Sequence, residues 1–248
     1  KDEIIKKLED IFDDKPVTTE IPHQLDILRQ EYDDFVKTES TKGENYEDEF
    51  ELETSEINED QKLLSKYFKN LKQINKISTI SVLTGFTRGT APDIFDPDED
   101  RICQITTDRH RRTDKWLTGI IDKGEGIFFS LNNEMLSKWE NNNELRQRCE
   151  VIIESYAQHA APKDEKKQKE IISRFNPRFI LLHTLSHLLI KSLAKYAGYG
   201  EPSIRERIYW DNKDRNGILL YTSGSSEGSL GGLVRLGETK DFEKRLME

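Results

Sequence analysis

His183 and His187 stand four residues apart in the run HTLSHLLIKSLAKYAGYG (183–200). On a helix that spacing puts both imidazoles on one face, where a histidine pair can hold a metal ion or relay a proton. Zinc proteases with this spacing carry a glutamate base directly after the first histidine. Here Thr184 occupies that position, which removes the protease reading. Phe179, Ile180, Leu181, Leu182, Leu185, Leu188, Leu189, Ile190 and Leu193 make the segment apolar nearly all round, and such a helix is normally buried. The sequence therefore predicts a buried scaffold helix that binds no metal. His183 and His187 are candidates for lining a polar site, with at most one imidazole reaching a surface groove.

Two further groups of residues have types suited to phosphate. Gly224, Gly228, Gly231 and Gly232 lie in GSSEGSLGGLVRLG (224–237), between a strand-like and a helix-like stretch. Backbone amides there can face a phosphate, with Ser223, Ser225 and Ser229 adding hydroxyls. The loop lacks the Lys-Ser/Thr pair of a P-loop and the G-x-G-x-x-G spacing, so a tight turn that needs glycine is the plainer reading. Arg109, His110, Arg111, Arg112 and Lys115, followed by Trp116, form the densest basic patch. Basic charge next to an aromatic ring suits nucleic acid. Arg109, Arg111, Arg112 and Arg207 are accordingly the cationic candidates for DNA contact. Asp93, Asp96, Asp98 and Asp100 lack the glycine and closing glutamate of a calcium loop and read as a solvated turn. No arrangement completes a catalytic constellation, so the chain reads as non-enzymatic. The rival is a phosphodiesterase or nuclease in which His183 or His187 acts with the 223–232 loop.

Several elements must position these residues. Apolar spacing predicts helices at 2–12, 23–36 and 58–74, the last capped by Asn58. Residues 39–56 read as an acidic loop with a short strand at Phe50 and Leu52. β-Branched and aromatic runs predict strands at 77–88, 101–107, 124–131, 203–210 and 216–223, the last with Asn216–Gly217 as its turn. Residues 132–160 read as a long helical stretch broken at 141–143. A helix over 177–197 ends at Gly198. The fold class is α/β, a mixed sheet flanked by helices. Three regions follow: an acidic, mostly helical 1–75, a strand and helix region 76–161, and a C-terminal α/β domain 162–248.

The formal net charge of -9 is uneven. Residues 1–75 hold 11 Lys/Arg and 21 Asp/Glu, while 76–248 hold 27 and 26. An acidic first third does not track DNA, which is held by Lys and Arg; water or a basic protein surface suits it better. No apolar run is long enough for a membrane span. The two cysteines, Cys103 and Cys149, read as reduced thiols of a cytoplasmic protein. The chain has no initiator Met and reads as a piece of a longer one.

LLHTLSHLLIKSLAKYAGYGEPSIRERIY and GILLYTSGSSEGSLGGLVRLG resemble a domain of unknown function found at the C-terminus of some superfamily-two helicases and in their stand-alone partner proteins. VLTGFTR and WLTGIIDKGEGIFFSLNNEMLSKWE are similar to the DrmB family of the DISARM phage-defence system, as is LDILRQEYDDF upstream. The resemblance runs over roughly residues 20–245 and is most specific at 179–237. It implies a subunit without firmly assigned catalysis that associates with a superfamily-two helicase of DrmA type and meets DNA through that complex. The family's cysteine cluster, a zinc site, follows the LGGLVRLG segment and is absent from this chain. The resemblance therefore assigns no cofactor here.

Overall fold

The computed structural model describes residues 24–41, 50–83, 85–86, 88, 103–104, 118–159, 176–211, 213–222 and 231–248. In chain order the elements are α1 (Gln24–Lys37), β1 (Phe50–Thr54), α2 (Lys62–Tyr67), β2 (Phe68–Val82), β3 (Gly85–Phe86), β4 (Cys103–Gln104) and β5 (Gly119–Leu131). They continue with α3 (Asn133–Glu140), α4 (Asn143–His159), α5 (Pro177–Ala197), β6 (Ile204–Trp210), β7 (Asn216–Thr222), α6 (Gly232–Arg235) and α7 (Thr239–Leu246). The chain divides into two compact units, one of Lys1–Gln30 with Ile80–Ile120 and one of Glu31–Thr79 with Ile121–Glu248. In the first, β3 and β4 pair antiparallel, and the Leu83 amide donates to the Thr118 carbonyl at 2.9 Å.

The architecture is α/β, as the sequence predicts: a five-stranded sheet in the order β1-β2-β5-β7-β6, with helices around it. Strand β1 pairs antiparallel with β2, and β7 pairs antiparallel with both β5 and β6. Every residue of β7 is buried. Successive strand side chains point to opposite faces, and Phe128 and Phe129 of β5 show the result. Phe128 joins Tyr32 and Phe35 of α1 and Tyr209 of β6, with the Phe35 and Phe128 rings stacked 4.8 Å apart. Phe129 packs on Phe68 and on Phe242 of α7. Each such ring withdrawn from water contributes about 2–3 kcal/mol. Buried Lys72 of β2 donates to the Val36 carbonyl at 3.4 Å and to the Thr38 carbonyl, so its cation satisfies the end of α1. Burial lowers its pKa.

Asparagine starts three helices. The side chains of Asn132, Asn142 and Asn176 accept from the Glu134, Glu144 and Phe179 amides at 2.9, 2.9 and 2.7 Å, each supplying an acceptor the first turn lacks. The break at 141–143 and the αL stop at Gly198 (φ 80°) fall where the sequence places them. Among the described residues no helix is long and apolar enough to cross a membrane. Cys149 is buried and free.

Some expectations are corrected. The helix expected over 58–74 stops at Tyr67, and Phe68 begins a long strand. Phe68, Leu71 and Ile74 fit a helical spacing, but β1 pairs along 72–77 and draws the segment into the sheet. Tertiary pairing outweighs local preference there. Asn58 does not cap α2; its own amide donates to the Gln61 side chain at 2.9 Å. Asn216 and Gly217 are not a turn but paired strand residues opposite Trp210 and Tyr209. The connection lies before them, where the Asp211 amide donates to the Arg215 carbonyl at 3.2 Å. Gly217 is small for another reason: a Cβ there would stand 2.9 Å from the Tyr32 ring and 3.0 Å from the Phe128 ring. The helix expected at 2–12 lies outside the described residues.

Candidate functional site

Helix α5 lies against β6 and β7 and buries Phe179, Leu182, Ser186, Leu189, Ile190, Leu193 and Ala194. A sheet covers only one side of a helix, so the opposite side meets water despite its apolar residues; Leu188 is 61% exposed. The expected all-round burial is therefore corrected. Both imidazoles, not one, reach solvent, with side-chain exposures of 46% for His183 and 58% for His187. Their rings meet edge to face with centroids 4.5 Å apart, and the Phe179 ring stacks on His183 at 5.6 Å.

A third residue, which sequence reasoning missed, completes this group. Glu206 of β6 places Oε1 3.0 Å from His183 Nδ1 and 3.6 Å from His187 Nε2. Its other carboxylate oxygen is held by the hydroxyl of Ser186, a fully buried residue between the two histidines. The Ser186 hydroxyl also lies 2.8 Å from the His183 carbonyl. A signal was present in the sequence. In IRERIYW, Glu206 alternates with Ile204 and Ile208, both buried, so it shares their face of the strand.

The end of the glycine-rich loop is occupied from within the chain. Glu125 of β5, 1% exposed, accepts from the Gly231 amide at 2.5 Å, the Leu233 amide at 2.7 Å and the Tyr199 hydroxyl at 2.9 Å. A carboxylate thus sits where a helix start favours negative charge. Gly231 has φ 111°, and a Cβ on Gly232 would stand 2.3 Å from the Ala197 carbonyl oxygen. Ser223, Gly224, Ser225, Gly228 and Ser229 lie outside the described residues, as do Arg109, Arg111 and Arg112. Arg207 is described, and it faces α1. Its Nη1 donates to Glu31 Oε1 at 2.5 Å, and the Tyr209 hydroxyl donates to Glu31 Oε2 at 3.1 Å.

Burial, and then the Glu125 carboxylate, push the Tyr199 phenol up to about 12. An unfolded tyrosine titrates near 10, so the folded state holds this proton more tightly. Its contribution to stability is complete below about pH 10 and is lost as pH rises through about 12. Denaturant unfolding across that range is therefore expected to show a steeper alkaline loss of stability in the parent chain than in Tyr199→Phe. Equal slopes would contradict this arrangement.

No family model matches the chain. A curated protein, the DISARM protein DrmB of Bacillus paralicheniformis, is 36% identical to it over 193 residues, covering 76% of this chain and 32% of that protein. The chain is DrmB-like. It spans about a third of the length of that relative. Within this DrmB-like segment the described residues bring His183, His187 and Glu206 together at one exposed edge of α5. The buried Glu125 carboxylate meets the amide of exposed Gly231 at the end of the glycine-rich loop.

Proposed function

We propose that this DrmB-like chain is a non-enzymatic part of a DISARM anti-phage complex, working in the cytoplasm with a superfamily-two helicase subunit of DrmA type and assisting its engagement of DNA. The observation that carries this reading is the 36% identity to the DISARM protein DrmB. Charge supports the division of labour. The first 75 residues are strongly acidic and suit a basic protein surface, while the remainder is near neutral and suits only weak independent DNA binding. Arg207 is already paired with Glu31, so a phosphate there must compete with a carboxylate. Arg109, Arg111 and Arg112, with Ser223, Ser225 and Ser229, remain the proposed DNA contacts, and the amides of Gly224 and Gly228 add backbone donors.

Mixed with its helicase at micromolar concentration, the chain is expected to elute as a complex, and the pair to bind DNA more tightly than the chain alone. Replacing Arg109, Arg111 and Arg112 by alanine is expected to flatten the salt dependence of the pair by about 0.9 in logarithmic slope for each phosphate no longer neutralised. Separate elution of the two proteins would sink the reading. The exposure of both imidazoles favours one second reading, a phosphodiesterase using His183 or His187 with the 223–232 loop. Multiple-turnover cleavage of DNA by the isolated chain, abolished in His187→Ala, would establish it in place of the first.

A further inference from the structure

We infer that His183, His187 and Glu206 form a binding site for a first-row divalent transition metal, with Zn²⁺ as the best-suited ion. The site joins α5 to β6 and keeps one coordination position open to solvent. This inference is independent of the DISARM reading.

Three observations carry it. First, one imidazole nitrogen from each of His183 and His187 and a Glu206 oxygen all lie within 4.8 Å of one another. Zinc holds imidazole nitrogens and carboxylate oxygens at about 2.0–2.2 Å, which sets the tetrahedral distance between donors at roughly 3.3 Å. The two nitrogen-to-oxygen separations, 3.0 and 3.6 Å, bracket that value. The longer one is too long for a hydrogen bond, yet it suits two ligands of one ion.

Second, the ligands are held in place. Glu206 is fixed by the buried Ser186 hydroxyl at its other oxygen, which leaves Oε1 turned toward the imidazoles. His183 is walled by Phe179, whose ring packs in turn on Trp210 with centroids 4.6 Å apart. Partners of this kind orient ligands and raise affinity. Third, the donor set selects the ion. Two nitrogens and one oxygen suit Zn²⁺ and its first-row neighbours, whereas Mg²⁺ and Ca²⁺ require oxygen ligands. Three protein ligands facing water leave a fourth position for a solvent molecule.

The test uses the full chain, stripped with a chelator and titrated with Zn²⁺ by calorimetry and with Co²⁺ by absorption. The expected result is one equivalent of Zn²⁺, and a Co²⁺ spectrum of four or five coordination without a thiolate band. Glu206→Gln and the double variant His183→Ala/His187→Ala are expected to weaken binding about 100-fold or more, and Ser186→Ala about tenfold. Both histidines are exposed, so the double variant opens no core cavity, and its circular dichroism should match the parent. Millimolar Mg²⁺ is expected not to displace the ion. Unchanged Zn²⁺ affinity in the double variant, a thiolate band, displacement by Mg²⁺, or no binding by the parent chain would each overturn the assignment.

Discussion

Arg178→Ala is expected to lower the unfolding free energy by about 3 kcal/mol, the lower end of the cost of breaking a buried ion pair. Arg178 is the second residue of α5, and its side chain is 5% exposed. Nε and Nη2 donate to the two carboxylate oxygens of Glu140, at 2.8 and 3.1 Å, at the end of α3. Nη1 reaches the carbonyls of Lys213, Asp211 and Arg215 at 2.7, 3.0 and 3.4 Å in the connection between β6 and β7. One guanidinium thus fastens two helices and a hairpin. Alanine leaves a carboxylate that is 22% exposed without its guanidinium and removes the side-chain donor from the Asp211 and Lys213 carbonyls. For a chain of this size the midpoint of thermal unfolding should drop by about 6–12 °C. Arg178→Lys should recover only part of the loss, because an ammonium cannot reproduce the two-pronged contact. A drop below about 1 kcal/mol in the alanine variant, where an exposed pair would fall, would show that Arg178 is not the fastening point.

Glu125→Ala is expected to cost a similar amount, about 3 kcal/mol, by a different route. Two backbone amides and a phenol lose this acceptor. The Leu233 amide is buried, and leaving such a donor unsatisfied costs about 1–3 kcal/mol, to which the lost bonds of the Gly231 amide and the Tyr199 phenol add. The effect should be local before it is global. Amide hydrogen exchange at Gly231 and Leu233 should speed up under conditions where the amides of buried β7 remain protected. Glu125→Gln keeps one acceptor oxygen but turns an NH₂ toward donors, so it should restore less than half of the loss. Uniform acceleration of exchange across β7 and α6 would mean that Glu125 supports the whole core and does not specifically anchor α6.

Much of the architecture is legible in the residues. Asn132, Asn142 and Asn176 mark helix starts with side chains that do the capping, and Gly198 marks an end with a backbone that only glycine adopts freely. Strands β5, β6 and β7 follow their aliphatic and aromatic runs. What local pattern does not show is partnership. Residues 68–74 carry a helix-compatible spacing, and it is the neighbouring strands β1 and β5 that turn them into a strand. The histidine pair is visible at once, but Glu206 is 19 positions beyond His187 in sequence and enters through the contact of α5 with β6. Glu125 is hidden for the same reason, as an acid between two glycines whose partners come about a hundred residues later. The acidity of the first third suggests a face turned to water or to another protein. In the folded chain Glu31 and Asp33 instead meet Arg207 of β6 and Arg215 of the connection after it, so part of that charge is neutralised within the chain.

Those two ion pairs join residues 176 and 182 positions apart, and Gln61 reaches Thr239 across 178. While the polypeptide emerges from the ribosome, α1 and α2 must therefore wait for their partners. At about 5–20 residues per second the delay is roughly 10–40 s, during which Tyr32 and Phe35 lack the Tyr209 ring that completes their aromatic cluster. A nascent chain of this design is a natural client for chaperones that shield apolar side chains. Arrest of translation before β6 should leave it bound to them.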